Sequence, residues 1–189
     1  MPVLNDGVKM KKMTFDGQQV KKWVHDGVKV FSAAETIIWD NYDNSDWEVF
    51  NSGSGSDDVM LADGGICYAT IVANGTYGVR RAGVRTTAPI DLTEYKSISA
   101  LAGGDKFPSS DGHCNVVVSI RSTLTGDNVF SKHHTLTSTT AVEQTVDLDV
   151  TEYSGEYYIC IYGEVYNGSA SSSSYNFRTK GPITLTVLE

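Results

Sequence analysis

Long apolar runs are missing from this sequence, and so is any long segment with the 3.6-residue period of a helix. No stretch approaches the ~20 apolar residues of a membrane helix, so no membrane insertion is expected. Positive charge is scarce: Lys and Arg number 15 against 23 Asp and Glu, for a formal net charge of -8. So acidic a chain repels phosphate backbones, which argues against nucleic acid as a partner. Cysteine is sparse. Cys67, Cys114 and Cys160 are odd in number, far apart, and each set in an apolar, strand-like stretch. That usage predicts buried free thiols rather than a disulfide framework. The opening Met1-Pro2-Val3-Leu4-Asn5-Asp6-Gly7 lacks a charged start followed by an apolar run. No signal peptide is therefore expected, and synthesis in a reducing cytoplasm is.

What is present suits strands and turns. Eighteen Gly stand against four Pro, amid many Thr, Ser, Val and Tyr. A hydrophobic fraction of 40% in 189 residues is enough for a packed core. The length fits one domain, or one domain with a small appendage.

The front of the chain repeats. Asp6-Gly7, Asp16-Gly17 and Asp26-Gly27 recur every ten residues, with Lys pairs at 11–12 and 21–22. Asp-Gly signals a two-residue hairpin turn, because Gly takes positive φ without steric cost. The spacing predicts a three-stranded antiparallel meander over residues 3–31. Apolar parity slips across each Lys pair, from Val8 and Met10 to Met13 and Phe15, and from Val20 to Trp23. A bulge or strong twist is expected there. A sheet this small is marginal alone, so it must either complete the main fold or serve docking and oligomerisation. The runs Asn5-Asp6-Gly7-Val8-Lys9-Met10-Lys11-Lys12 and Phe15-Asp16-Gly17-Gln18-Gln19-Val20-Lys21-Lys22-Trp23 resemble the openings of tail-associated proteins in prophages of Gram-positive bacteria.

Residues 32–189 read as a succession of strands. They are expected at 35–39, 47–50, 66–73, 76–86, 95–101, 115–121, 129–136, 142–150, 156–166 and 183–188. Glycine-bearing turns are expected between them at Gly64-Gly65, Asn74-Gly75, Gly103-Gly104, Gly126-Asp127-Asn128 and Gly168. This predicts an all-β antiparallel sandwich. An internal echo supports it: Asp91-Leu92-Thr93-Glu94-Tyr95 matches Asp149-Val150-Thr151-Glu152-Tyr153. Each should be a capped turn between strands, since Asp and Thr side chains bond nearby backbone N–H groups. Tyr95 and Tyr153 are placed to plug the sandwich edge. The arrangement resembles the jelly-roll sandwiches of carbohydrate-binding modules and galactose-binding-like domains. The resemblance carries over no ligand residues.

Signs of catalysis are few. There is no His-Glu-x-x-His, no paired Cys-x-x-Cys and no phosphate loop. His113 and Cys114 are strand neighbours and should face opposite ways. The chain is expected not to be an enzyme and to need no cofactor. One metal reading stands beside a plain solvated turn: Asp40, Asp43 and Asp46 crowd oxygen ligands of the kind calcium takes. Trp39, Tyr42, Trp47, Tyr77, Tyr166 and Tyr175 are candidates for stacking on sugar rings, with a core role as the alternative for each. Arg81 and Arg85 share a strand face, with Arg80 pointing the other way. They can bind an anionic polymer or pair with carboxylates.

Two functions follow as expectations. The first is a structural or receptor-binding component of a phage or prophage tail. It would assemble into a virion after synthesis in the bacterial cytoplasm. Its partners would be other tail proteins and a host cell-surface saccharide. Residues 1–31 would dock it and residues 32–189 would face outward, in a homo-oligomer with a trimer favoured. The second is a free-standing carbohydrate-binding module or adhesin.

Overall fold

The computed structural model describes residues 14–15, 18–19, 22–25, 28–32, 35–39, 45–62, 66–74, 78–106, 112–168 and 173–188. Within the front repeat, β1 (Thr14–Phe15) pairs with β2 (Gln18–Gln19), and β3 (Lys22–His25) with β4 (Val28–Ser32), both antiparallel. Phe15 opposes Gln18 and His25 opposes Val28. The register shifts between Trp23 and Val24, beside the second Lys pair, where the apolar parity slips. The ladders are two separate two-stranded units rather than one meander among the described residues. Residues 1–13, which hold the first repeat, lie outside the described residues.

The strands that follow are β5 (Glu35–Trp39), β6 (Trp47–Gly53), β7 (Gly55–Ala62), β8 (Ile66–Ala73), β9 (Val79–Thr86) and β10 (Ile90–Asp91). They continue with β11 (Tyr95–Lys106), β12 (His113–Arg121), β13 (Phe130–Leu136), β14 (Val142–Asp149), β15 (Glu156–Tyr166) and β16 (Ser173–Val187). They form two antiparallel sheets. The first runs β13-β12-β15-β9-β6, with β10 also on β15. The second runs β14-β11-β16-β8-β7, with β5 also on β16. The chain is the all-β sandwich that the alternating pattern predicts.

Period-two alternation builds the core. Val116, Val118 and Ile120 of β12 and Ile159, Ile161 and Val165 of β15 turn inward from the first sheet. Ile71, Ile98, Leu148, Phe177 and Leu185 meet them from the second. Each such side chain contributes roughly 1.5–3 kcal/mol when fully buried. All three cysteines are buried and free, as their setting predicts.

The echoed turns are built alike. Asp91 Oδ1 accepts from Thr93 N at 3.0 Å and Thr93 Oγ1 at 2.6 Å. Asp149 Oδ1 accepts from Thr151 N and Oγ1 at the same two distances. Thr93 Oγ1 then accepts from Gly155 N at 3.0 Å, which ties the first turn to the segment after the second. Tyr95 lies in the core, and half-buried Tyr153 packs against it.

Two expectations need correction. Gly103-Gly104 is not a turn but lies inside β11, paired on both sides. The last strand also begins earlier than the expected residue 183, because residues 173–180 already belong to β16. β7 was not foreseen at all. It is an edge strand, Gly55-Ser56-Asp57-Asp58-Val59-Met60-Leu61-Ala62, whose first half is made of residues that seldom advertise a strand.

Candidate functional site

The sandwich offers two outer faces, and their side chains follow from register. On the first sheet, Phe50, Gly83, Tyr162, Val117 and His133 form one row. The next row holds Ser52, Arg81, Glu164, Asn115 and Thr135. Phe50, Tyr162, Val117 and Cys160 form a buried cluster of their own here. The aromatic rings meet edge to face, centroids 5.4 Å apart. They are closed off from above. The Arg121 guanidinium lies 4.5 Å from the Phe50 centroid and 5.7 Å from that of Tyr162. Asn128 accepts from Arg121 Nε at 2.9 Å and donates to the Tyr162 hydroxyl at 2.9 Å. Arg85 Nη1 donates to Leu124 O at 2.7 Å. The connection between β12 and β13 is thereby pinned over the sheet, and these rings present no free stacking surface.

Arg81 and Arg85 share this face, and Arg80 points the other way to bond Asp57 and Gly53 O. Arg81 Nε pairs with Glu164 at 2.5 Å and Arg85 Nε with Glu48 at 2.7 Å. The carboxylate-paired reading of these arginines is the one observed. Burial works to lower the Arg81 pKa, but the Glu164 hydrogen bond and charge raise it on balance. Burial, then Glu164, pushes the Tyr166 hydroxyl up. The Tyr166 ring stacks on His113 at 4.7 Å.

The second sheet's outer face is open. Register sets Met60, Tyr68, Arg178, Gly103 and Glu143 in one row, with Asp58, Thr70, Asn176 and Asp105 beside it. Between these rows lies a trough of about 430 Å³. Tyr68 is 43% exposed and Met60 56%. Gly104 lines the trough. In the row beside it Arg178 Nε reaches across Gly103 to the Glu143 carboxylate at 2.5 Å. Gly103 has no room for a side chain, since a Cβ there would lie 1.9 Å from Val142 O. Asn176 is held in place: its Oδ1 accepts from Thr70 Oγ1 at 3.1 Å, and its Nδ2 donates to Asp105 at 3.3 Å.

No protein-family description matches the chain, and no curated protein matches it. Solved sandwiches do resemble it. The family 11 carbohydrate-binding module of a cellulosomal cellulase of Clostridium thermocellum is 13% identical, over 82% of this chain and 95% of that one, with a TM-score of 0.46. Carbohydrate-binding modules of the β-sandwich superfamily are 10% identical, over 86% of this chain and 66% of theirs, with a TM-score of 0.49. Tailspike protein 4 of bacteriophage CBA120 is 7% identical, over 79% of this chain and 21% of that one, with a TM-score of 0.46. At these values no residue role transfers, and function is argued from this chain's own side chains.

The aromatic candidates read from sequence scatter. Trp47 is 4% exposed, and its Nε1 donates to Ile38 O at 3.2 Å. Tyr175 is fully buried and its hydroxyl bonds Gly112 O. Both rings belong to the core, which corrects their reading as stacking surfaces. Trp39 ends β5 opposite Ile183. Tyr42, Tyr77, Asp40 and Asp43 lie outside the described residues. Asp46 is exposed, and its backbone carbonyl accepts from Thr87 N at 2.9 Å. Among the described residues no three His, Cys, Asp or Glu gather to hold a metal. Two of the three calcium candidates, Asp40 and Asp43, thus lie outside the described residues. Sequence reasoning missed Tyr68, Asn176 and Arg178. Only the strict alternation of 66–73 and 173–180 could have marked them as outward-facing.

Proposed function

We propose that this chain is a saccharide-binding β-sandwich, and that the trough beside Tyr68 is its binding surface. The observation that carries this reading is a half-exposed tyrosine ring bordering a groove whose polar groups are already oriented. Sugar rings pack their C–H faces on aromatic rings, while amides and charges take the hydroxyls. Tyr68 and Met60 give the apolar wall. Asn176, Asp105, Asp58 and Arg178 give convergent donors and acceptors. The volume lies within the ~300–1,000 Å³ range of ligand pockets.

The test is a glycan array followed by calorimetry on any hit. Tyr68→Ala should weaken binding about tenfold, which is ~1.4 kcal/mol. Tyr68→Phe should bind nearly as the parent does. An array without hits, or undiminished binding by Tyr68→Ala, would refute the assignment.

The tail-component reading supplies the wider setting in which such a module would be carried on a virion. It rests on the ten-residue repeat of Asp6-Gly7, Asp16-Gly17 and Asp26-Gly27 in the sequence. It requires a homo-oligomer, with a trimer favoured. Light scattering that finds only monomer at high concentration removes it and leaves the saccharide assignment standing.

A further inference from the structure

The first sheet's outer face holds a second arrangement, and saccharide binding does not use it. Ser131 and His133 are two residues apart on β13, so their side chains leave the same face. Ser131 Oγ lies 2.9 Å from His133 Nε2. His133 Nδ1 lies 3.9 Å from Glu164 Oε1. The Glu164 side chain is 3% exposed, and its Oε2 is fixed by Arg81 Nε at 2.5 Å. Its Oε1 is buried and has no partner in hydrogen-bond geometry, although the Tyr166 hydroxyl interacts with the same carboxylate. A buried carboxylate oxygen left unpartnered is costly, and such orphans call for an explanation. Here the orphan faces an imidazole whose far nitrogen touches a hydroxyl.

We propose that Ser131, His133 and Glu164 form a nucleophile–base–carboxylate array that hydrolyses small carboxylic esters. Ser131 and His133 are the catalytic residues, and Glu164 and Arg81 are positioning residues. The Ser131 Oγ bonds to the acyl carbon as its proton passes to His133 Nε2. The alcohol then leaves with that proton, and the acyl group stays on Ser131. Water attacks the acyl carbon, gives its proton to Nε2, and Ser131 leaves as the restored hydroxyl. At 3.9 Å the His133–Glu164 contact is an ion-pair distance rather than a hydrogen bond. Protonation of the ring in the transition state gives the orphan oxygen a charged partner and draws the pair together. Contacts of this kind tighten only when substrate binds.

The arrangement escaped the sequence search because Ser-x-His is too short and too common to be a motif. Its third member lies 31 positions beyond His133, on a strand two places away in the sheet. Half-exposed His133, 43% exposed at its side chain, leaves the array open to a small substrate.

The experiment uses the full chain with p-nitrophenyl acetate as substrate and a fluorophosphonate as covalent probe. The expected result is turnover and a single label on Ser131. Ser131→Ala should abolish the label and bring hydrolysis to the buffer rate. His133→Gln should slow hydrolysis about 10²-fold, the scale of a lost general base. Glu164→Gln should lower kcat with KM unchanged, a split that loss of fold does not give. Unchanged thermal unfolding of Ser131→Ala certifies its fold. Label on another residue, or hydrolysis by Ser131→Ala equal to the parent's, overturns the proposal. So does a parent protein no faster than buffer.

Discussion

A methyl group added at Gly163 tests how tightly the two sheets face each other. Gly163 sits on the inner side of β15. A Cβ there would lie 2.7 Å from Ile71 Cδ1 and 2.8 Å from Phe177 Cβ. Real Cβ atoms essentially never come so close, so the facing strands must move or the side chains must shift. Overpacking of this kind costs roughly 1–3 kcal/mol. Replacing Gly by Ala in a strand returns roughly 0.5–1 kcal/mol of backbone entropy, so Gly163→Ala should cost ~1–2 kcal/mol net. Ile71→Val removes the offending Cδ1, and alone it costs roughly 0.5–1.5 kcal/mol. In the double variant the cavity and the added methyl partly fill each other. The two costs should therefore fall short of additivity by about 1 kcal/mol, beyond the ~0.3–0.5 kcal/mol scatter of independent sites. Equilibrium urea unfolding measures all four corners of the cycle. Each kcal/mol should also appear as ~2–4 °C in the melting midpoint of a chain this size. Additive costs, or a harmless Gly163→Ala, would mean that the sheets do not meet at this point as described. Because Phe177 lies between Asn176 and Arg178 in β16, a displaced Phe177 should also loosen saccharide binding in the trough.

Two further outcomes follow from the same structure. Burial pushes the Cys67 thiol up to about 12 and the Cys160 thiol up to about 11, and raises Cys114 as well. At pH 8 a disulfide reagent should therefore leave the folded protein untouched and titrate all three thiols in denaturant; rapid reaction of any one in the folded state would contradict their burial. The side-chain and backbone hydrogen bonds from Thr151 hold the Asp149 carboxyl below its ordinary value. A depressed folded pKa contributes stability above the unfolded value and loses it as pH falls through the folded one, so the effect belongs to the acid limb. In Thr151→Ala, which keeps the backbone donor and removes the hydroxyl, the Asp149 midpoint followed by NMR should rise part of the way to the ordinary range, and an unchanged midpoint would refute the capped-turn account.

How much of this was legible in the sequence depended on whether alternation was clean. β8 and β15 fall where their apolar periodicity puts them. The Asp-x-Thr echo gave two turns with matching hydrogen bonds. β7 was hidden because its first half is Gly-Ser-Asp-Asp, although Val59 and Leu61 in its second half pack against the core. Residues 173–180 alternate buried and half-buried throughout β16 until exposed Lys180, yet the serines before them masked the start. Gly103-Gly104 carried the composition of a turn and the pairing of a strand. At the level of the site, Arg81 and Arg85 were rightly placed on one face because parity alone fixes that. Tyr68 was not singled out. Choosing it over Trp47 and Tyr175 requires knowing which sheet face the fold leaves open, and that is decided by partners far away in sequence.

The contrast between the two outer faces comes down to local devices. Each face begins as a pleated sheet carrying aromatic side chains. On the first, β12 ends at Arg121, and the next residues double back far enough for Asn128 to bridge that arginine to the Tyr162 hydroxyl. The guanidinium then lies against two rings that would otherwise be wet, and the aromatic surface becomes part of the packed structure. On the second, the Arg178–Glu143 pair runs across Gly103 and leaves Tyr68 uncovered. An arginine drawn sideways to a carboxylate cannot also lie on the tyrosine ring. Tyr68 therefore keeps an exposed face, where Phe50 and Tyr162 have lost theirs. The same residue types thus consolidate the fold on one sheet and leave an open face on the other, and one loop on the first and one ion pair on the second decide which.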